Sequence, residues 1–170
     1  MKLRPAAAAD VPALARLAAD SFVGAFAHLY SAADLAAFLA EHKSEAATAA
    51  LVADPDGRLQ VAERDGALIA YCKIGFDCGW PEHARGQRVM EFKQLYAAPE
   101  ATGGGAGTAL MDWAMSEFAA RGADEVQLSV WSGNHGAQRF YARYGFAKVA
   151  DVTFRVGAQI DAEYLFAKLL

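Results

Sequence analysis

The 170-residue chain has only two cysteines, Cys72 and Cys78, and four histidines. A structural zinc site needs about four thiolate or imidazole ligands at close spacing. Neither cysteine has a CxxC partner or a histidine cluster beside it. No metal centre is expected, and both cysteines read as small buried hydrophobes. Positive charge is also scarce: 16 Lys and Arg stand against 20 Asp and Glu, a net charge of −4. Nucleic-acid binders normally carry a basic patch, so nucleic acid is not an expected partner. No apolar run approaches the ~20 residues that span a bilayer. The opening Met1-Lys2-Leu3-Arg4-Pro5 lacks the apolar stretch of a secretion signal. The expectations are therefore no membrane partner and a cytoplasmic location.

What the chain does have is apolar content, 55% of its residues. That excludes intrinsic disorder. The length fits one domain over residues 1–170, large enough to bury a core without disulfide staples. There is no internal repeat and no linker.

The first third reads as helical. Asp10 is a plausible N-cap with Pro12 in the first turn, and Val11, Leu14, Leu17, Ala18 and Phe22 recur at helical spacing. Ser31, with Asp34 three residues on, opens a second helix, and Ser44 caps a third that runs to about Ala53. After the turn Asp54-Pro55-Asp56-Gly57 the period changes to two. Leu59–Glu63 and Leu68–Phe76 read as strands joined at Asp65-Gly66. Asp77–Gln87 has no period and reads as an exposed insertion. Val89–Ala98 is a strand with polar residues on both faces, which suggests that it lines a cleft. Thr108–Ala120 is a strong helix, with Gly122 at its C-cap. Glu125–Trp131 is a strand, and Asn134 caps a short helix to about Arg143. Strands over Ala147–Arg155 and Glu163–Leu169 close the chain. This order implies an α/β layered domain with a mixed sheet.

Two segments carry chemistry. Pro99-Glu100-Ala101-Thr102-Gly103-Gly104-Gly105-Ala106-Gly107-Thr108 joins a strand to a helix. Glycines there permit positive φ and close approach of a ligand to the backbone. Free N–H groups at a helix start make an anion site. A P-loop would need Gly-Lys-Ser/Thr, and there is no lysine; a dinucleotide fingerprint would open the first βαβ unit, and this loop comes late. The second segment is Asn134-x-x-Ala137-x-x-Phe140-Tyr141-x-x-Tyr144-Gly145-Phe146. Its aromatics crowd one helix face, and a tyrosine at a cleft can serve as a general acid.

In this order, the two segments resemble the GNAT superfamily of acyl-CoA-dependent N-acyltransferases. The resemblance covers most of the chain and is most specific over Leu95–Met111 and Asn134–Phe146. It implies a mostly antiparallel central sheet of about seven strands, flanked by helices, with splayed central strands. It implies acetyl-CoA as cofactor, held by Leu95, Tyr96, Ala97, Thr102, Gly103, Gly104, Gly105, Ala106, Gly107, Thr108, Asn134, Ala137, Phe140 and Tyr141. Thr102 departs from the family pattern, which has Arg or Gln there. Tyr141 is the implied acid for the leaving thiolate and Glu91 the implied base, while a backbone N–H near Ala97 is the implied oxyanion donor. His28 and Tyr30 are expected to border the acceptor pocket, with Trp80 and its insertion as a cover.

A finer likeness, to bacterial spermidine/spermine-type acetyltransferases, rests on Phe26–Leu35, Glu91–Tyr96 and Phe154–Gly157 with Asp161. It makes a small amine, a polyamine in particular, the expected substrate. A homodimer is the further partner the resemblance allows. Protein α-amines or lysines, aminoglycosides and amino acids remain alternative acceptors. A non-catalytic acyl-CoA-binding regulator and a nucleotide-binding domain remain alternative classes.

Overall fold

Seven strands form one sheet in the computed structural model, which describes residues 1–170. They are β1 (Lys2–Pro5), β2 (Gly57–Arg64), β3 (Ala67–Gly75), β4 (Val89–Ala97), β5 (Glu125–Trp131), β6 (Ala147–Val156) and β7 (Gln159–Leu169). The helices are α1 (Val11–Phe26), α2 (Ala32–His42), α3 (Glu45–Ala53), α4 (Ala106–Ala120) and α5 (His135–Arg143). Across the sheet the order is β1-β2-β3-β4-β5-β7-β6. Only β4 and β5 run parallel. This is the mixed, mostly antiparallel layered architecture that the sequence led us to expect. No helix is long and apolar enough to cross a membrane.

Three of the expected caps form. The Ser31 hydroxyl accepts the Asp34 N–H at 3.1 Å, Ser44 accepts from Ala47 at 3.2 Å, and Asn134 accepts from Ala137 at 3.0 Å. Each satisfies a donor that a helix start leaves open. Asp10 does not cap α1. Its carboxylate takes the Arg4 guanidinium at 2.7 and 2.8 Å and the Ala7 N–H at 2.8 Å. A two-pronged charged pair outcompetes a single neutral donor. Helix α4 begins at Ala106, two residues ahead of the expected start at Thr108.

Alternation along the strands sorts the core onto two faces. Val61 and Tyr71 meet Leu14, Leu17 and Ala18 of α1 on one face. Ala62 and Cys72 meet Leu110, Met111, Ala114 and Phe118 of α4 on the other. Helix α5 joins the α4 side through Tyr141.

Asp77–Gln87 is not a free insertion, and Trp80 does not cover the pocket. The segment straps the start of β5. Gln127 accepts the Trp80 N–H at 3.2 Å and donates to its carbonyl at 3.1 Å. The fully buried Glu125 accepts the N–H groups of Arg85 at 2.6 Å and Gly86 at 2.8 Å, and the Arg85 Nε at 3.1 Å. A buried carboxylate must find donors, and this loop supplies them. Glu125→Ala leaves those donors unpaired, so a loss of about 2–3 kcal/mol is expected. Urea unfolding measures it; an unchanged midpoint would mean that the strap contributes nothing to stability.

Candidate active site

Strands β4 and β5 pair only where Val89–Glu91 meets Glu125–Gln127. Beyond that point β5 stays with β7 as far as Trp131, while β4 stays with β3 as far as Ala97. The two strands therefore splay, and the β4 edge facing the gap has no strand partner. The β3–β4 register also slips, so that Lys93 has no opposite residue. Such a bulge re-aims side chains locally. A cavity of about 150 Å³ fills the gap, lined by Phe92, Leu95 and Tyr96 of β4, Val130 and Trp131 of β5, and Tyr141 of α5, among others.

The glycine loop follows β4 and stands outside the cavity lining; a Cβ on Gly107 would lie 3.9 Å from Leu95, which does line it. Gly103 and Gly105 have φ of 79° and 82°, left-handed values that glycine adopts freely. Alternation of such residues with Gly104 turns successive N–H groups toward one side, as in anion-binding nests. Gly104 N–H is used, donating to the Ala101 carbonyl at 3.1 Å. The N–H groups of Gly103, Gly105, Ala106, Gly107 and Thr108 have no acceptor in the protein. A Cβ on Gly103 or Gly105 would meet nothing within 4 Å, so this side of the loop is open. These donors at the N-terminus of α4 suit a pyrophosphate.

Helix α5 is short but strongly two-sided. Its apolar face turns Tyr141 toward the core, against Phe92 at 6.3 Å and Phe140 at 5.5 Å between ring centroids. Tyr141 is only 9% exposed, yet its hydroxyl has no protein partner and borders the cavity. Burial pushes the Tyr141 phenol well above its ordinary value, so it holds its proton.

A sheet that opens between β4 and β5 and a buried tyrosine thus share one cavity, and the donor-lined glycine turn follows β4 just outside its lining. The chain matches the Acetyltransferase (GNAT) family over residues 14–146. It is a member of that family. GNAT enzymes are acetyltransferases, and acetyl-CoA is their acetyl donor. An uncharacterised N-acetyltransferase of Mycobacterium tuberculosis is 33% identical over 162 residues, covering 95% of this chain and 98% of its own. Among solved structures, the PaiA N-acetyltransferase of Thermoplasma acidophilum, in complex with coenzyme A, has a TM-score of 0.81 at 20% identity over 99% of this chain and 98% of that one. The ribosomal-protein-S18-alanine N-acetyltransferase of Escherichia coli has a TM-score of 0.72 at 15% identity over 99% and 92%. Both structural likenesses are likenesses of fold.

Against this GNAT frame, the expected site residues divide. Leu95, Tyr96, Asn134, Ala137 and Tyr141 border the cavity. Tyr30 does too; its ring stacks on Phe22 at 6.0 Å and its hydroxyl donates to Asp161. Asn134 spends its carbonyl oxygen on the α5 cap, which leaves its amide NH₂ free. Ala97 stays in the ladder opposite Ala70 and does not reach the cavity. Phe140 packs on Tyr141 and Tyr144 instead of bordering it. The Thr102 hydroxyl turns back to the Ala98 carbonyl at 3.4 Å, away from any ligand.

Two expected residues lie outside the cavity lining. His28 is exposed, because the tight turn Ala27–Leu29 sends it to solvent while Tyr30 turns inward. Glu91 sits at the vertex of the splay and does not border the cavity. It pairs with Lys93 at 3.2 Å, and Lys93 also reaches Asp77 at 3.4 Å.

Two other residues come in unannounced. Glu163 of β7 borders the cavity, and burial raises its carboxyl above the ordinary range while the Ser129 hydroxyl partly offsets this. Exposed Arg64, at the end of β2, reaches the glycine loop: its Nη2 lies 3.5 Å from where a Gly104 Cβ would stand. Neither carries a local motif, and Arg64 lies far from the loop in sequence. Behind the pocket wall, the Lys43 ammonium lies 4.6 Å from the Tyr96 ring centre. Burial lowers its pKa to about 8.

Proposed function

We propose that this GNAT protein transfers an acetyl group from acetyl-CoA to a primary amine of a small molecule. The observation that carries this reading is the run of unpaired N–H groups at the start of α4, the helix that follows β4, whose residues Phe92 to Tyr96 line the same cavity as Tyr141. Exposed N–H groups at a helix start are ordinarily left to water; the positive-φ glycines just before them add a concave run of donors that suits an anion.

Acetyl-CoA supplies the thioester carbonyl that the amine attacks. The N–H groups of Gly103, Gly105, Ala106, Gly107 and Thr108 hold the pyrophosphate. Arg64 adds the positive charge that Thr102 does not bring. The free edge of β4 would offer N–H and C=O groups to the amides of a pantetheine arm, and an N–H of that edge would supply the oxyanion donor. Tyr141 gives its phenolic proton to the departing sulfur.

A polyamine is the finer acceptor suggested by sequence. One ionised carboxylate, Glu163, borders the cavity alongside Lys93. That set suits one ammonium end of such a molecule, not two. Use of acetyl-CoA agrees with the cytoplasmic location expected from the sequence.

Free-thiol release from acetyl-CoA, read over a panel of amines, tests the reading. Thiol is expected with primary alkylamines, spermidine included, and none with trimethylamine or simple alcohols. Tight coenzyme A binding with no release for any amine, peptide or aminoglycoside would make the protein a sensor instead.

A further inference from the structure

Glu163 stands on β7 directly opposite Trp131, the last residue of β5, and Val152 of β6. A charge there is dear to bury unless it meets an opposite charge. No Lys or Arg forms an ion pair with it; its polar neighbours include the Ser129 hydroxyl and Asp161, which itself accepts from Tyr30 and Gln159. The same cavity holds the rings of Phe22, Phe26, Tyr30, Tyr96, Trp131 and Phe154. Phe26 and Trp131 meet edge to face at 6.2 Å and 88°. Aromatic rings around a carboxylate are the chemistry that receives an ammonium group.

We propose that Glu163 is the residue that binds the acceptor's ammonium and removes its proton. This rests on the acetyl-transfer reading above and assigns to β7 a role that the sequence pattern gave to Glu91. Burial raises both carboxyls, but Glu91 pairs with Lys93 and lies outside the cavity lining, whereas Glu163 shares that lining with Tyr141. Tyr30, Tyr96 and Tyr141 line the same cavity as Glu163.

The proton accounting closes. A Glu163 oxygen takes one proton from the ammonium, and the N–H electron pair becomes the nitrogen lone pair. That pair forms the C–N bond at the thioester carbonyl. The C–S bond breaks with its electrons on sulfur, and Tyr141 protonates the sulfur. The Tyr141 phenolate then takes the second nitrogen proton, and Glu163 releases its own to solvent.

The test uses tetramethylammonium, which cannot titrate, and follows its binding to the full chain by Trp131 fluorescence, with Trp131→Phe as the blank. In the unmodified protein, affinity is expected to fall about 10-fold as Glu163 is protonated on acidification, because the carboxylate that attracts the cation is lost. The other charged groups facing Glu163 are Asp161 and Lys93; Tyr30, Tyr96 and Tyr141 stay neutral there. Glu163→Gln is expected to bind the probe about 10-fold more weakly at neutral pH and to show no such fall. With the best amine from the panel, its kcat/KM is expected to drop about 100-fold or more. Glu163→Asp keeps the charge but retracts it, so probe binding recovers while kcat does not.

Wild-type probe affinity in Glu163→Gln would overturn the assignment. So would full activity in Glu163→Gln alongside loss in Glu91→Gln. If Glu163→Gln does not fold, the acid titration of the unmodified protein decides alone. Absence of thiol release by the unmodified protein would sink acetyl transfer, while the probe arm would still judge Glu163.

Discussion

Tyr141→Phe is expected to lower kcat about 100-fold or more, the range of a lost general acid. Coenzyme A affinity should stay within about twofold, since the ring and its packing persist and only an unpartnered hydroxyl disappears. The leaving thiolate departs into a chamber where burial disfavours every anion; the neighbouring Cys72 thiol is itself pushed well up. A proton delivered at that moment lowers the barrier most. Burial raises the Tyr141 phenol, so its donating form is present below the raised value and lost only above it. The alkaline limb of wild-type kcat should therefore lie above the ordinary phenol value of about 10. Rapid-quench and steady-state kinetics against pH check both points. An unchanged kcat in the variant would remove Tyr141 as the acid.

Gly105→Val is expected to weaken coenzyme A binding by about 100-fold or more, because a branched side chain would stand over donors that must touch phosphate. Gly105 has a φ of 82°, so a side chain there also adds strain of about 1–2 kcal/mol. Strain and blockage separate by comparison. Gly122, past the far end of α4, has a φ of 70° and lies away from the nest. Gly122→Val carries similar strain without blocking the loop. Calorimetric titration should show lost affinity in the first variant and normal affinity in the second, at similar losses of thermal stability. A folded Gly105→Val protein with normal affinity would mean that the phosphates sit elsewhere.

Some of this site is legible in the chain because its physics is local. Ser31, Ser44 and Asn134 cap helices within three residues of themselves, and no distant partner competes for their oxygens. The glycines of the turn at α4 announce its backbone shape directly, since few other residues accept a positive φ. The spacing of Ala137, Phe140 and Tyr141 already crowds one helix face. Asp10 shows the limit: it reads as a cap, but Arg4 on the neighbouring strand offers it two charged donors.

The rest depended on which strands lie side by side. Glu91 and Glu163 look alike in the chain, each a glutamate in a strand of mixed polarity. Register decides between them. Glu91 falls where β4 and β5 still touch and where Lys93 neutralises it. Glu163 falls opposite Trp131, beside the gap that opens further on. Likewise Arg64 reaches the glycine loop only because the sheet folds back, and Asp77–Gln87 is ordered only because Glu125 is buried beneath it. Sequence by itself determined three of the helix caps, the layered α/β class and the backbone shape of the glycine turn. Tertiary structure alone decided which carboxylate lines the cavity, because strand pairing brings a side chain's partners from far along the chain.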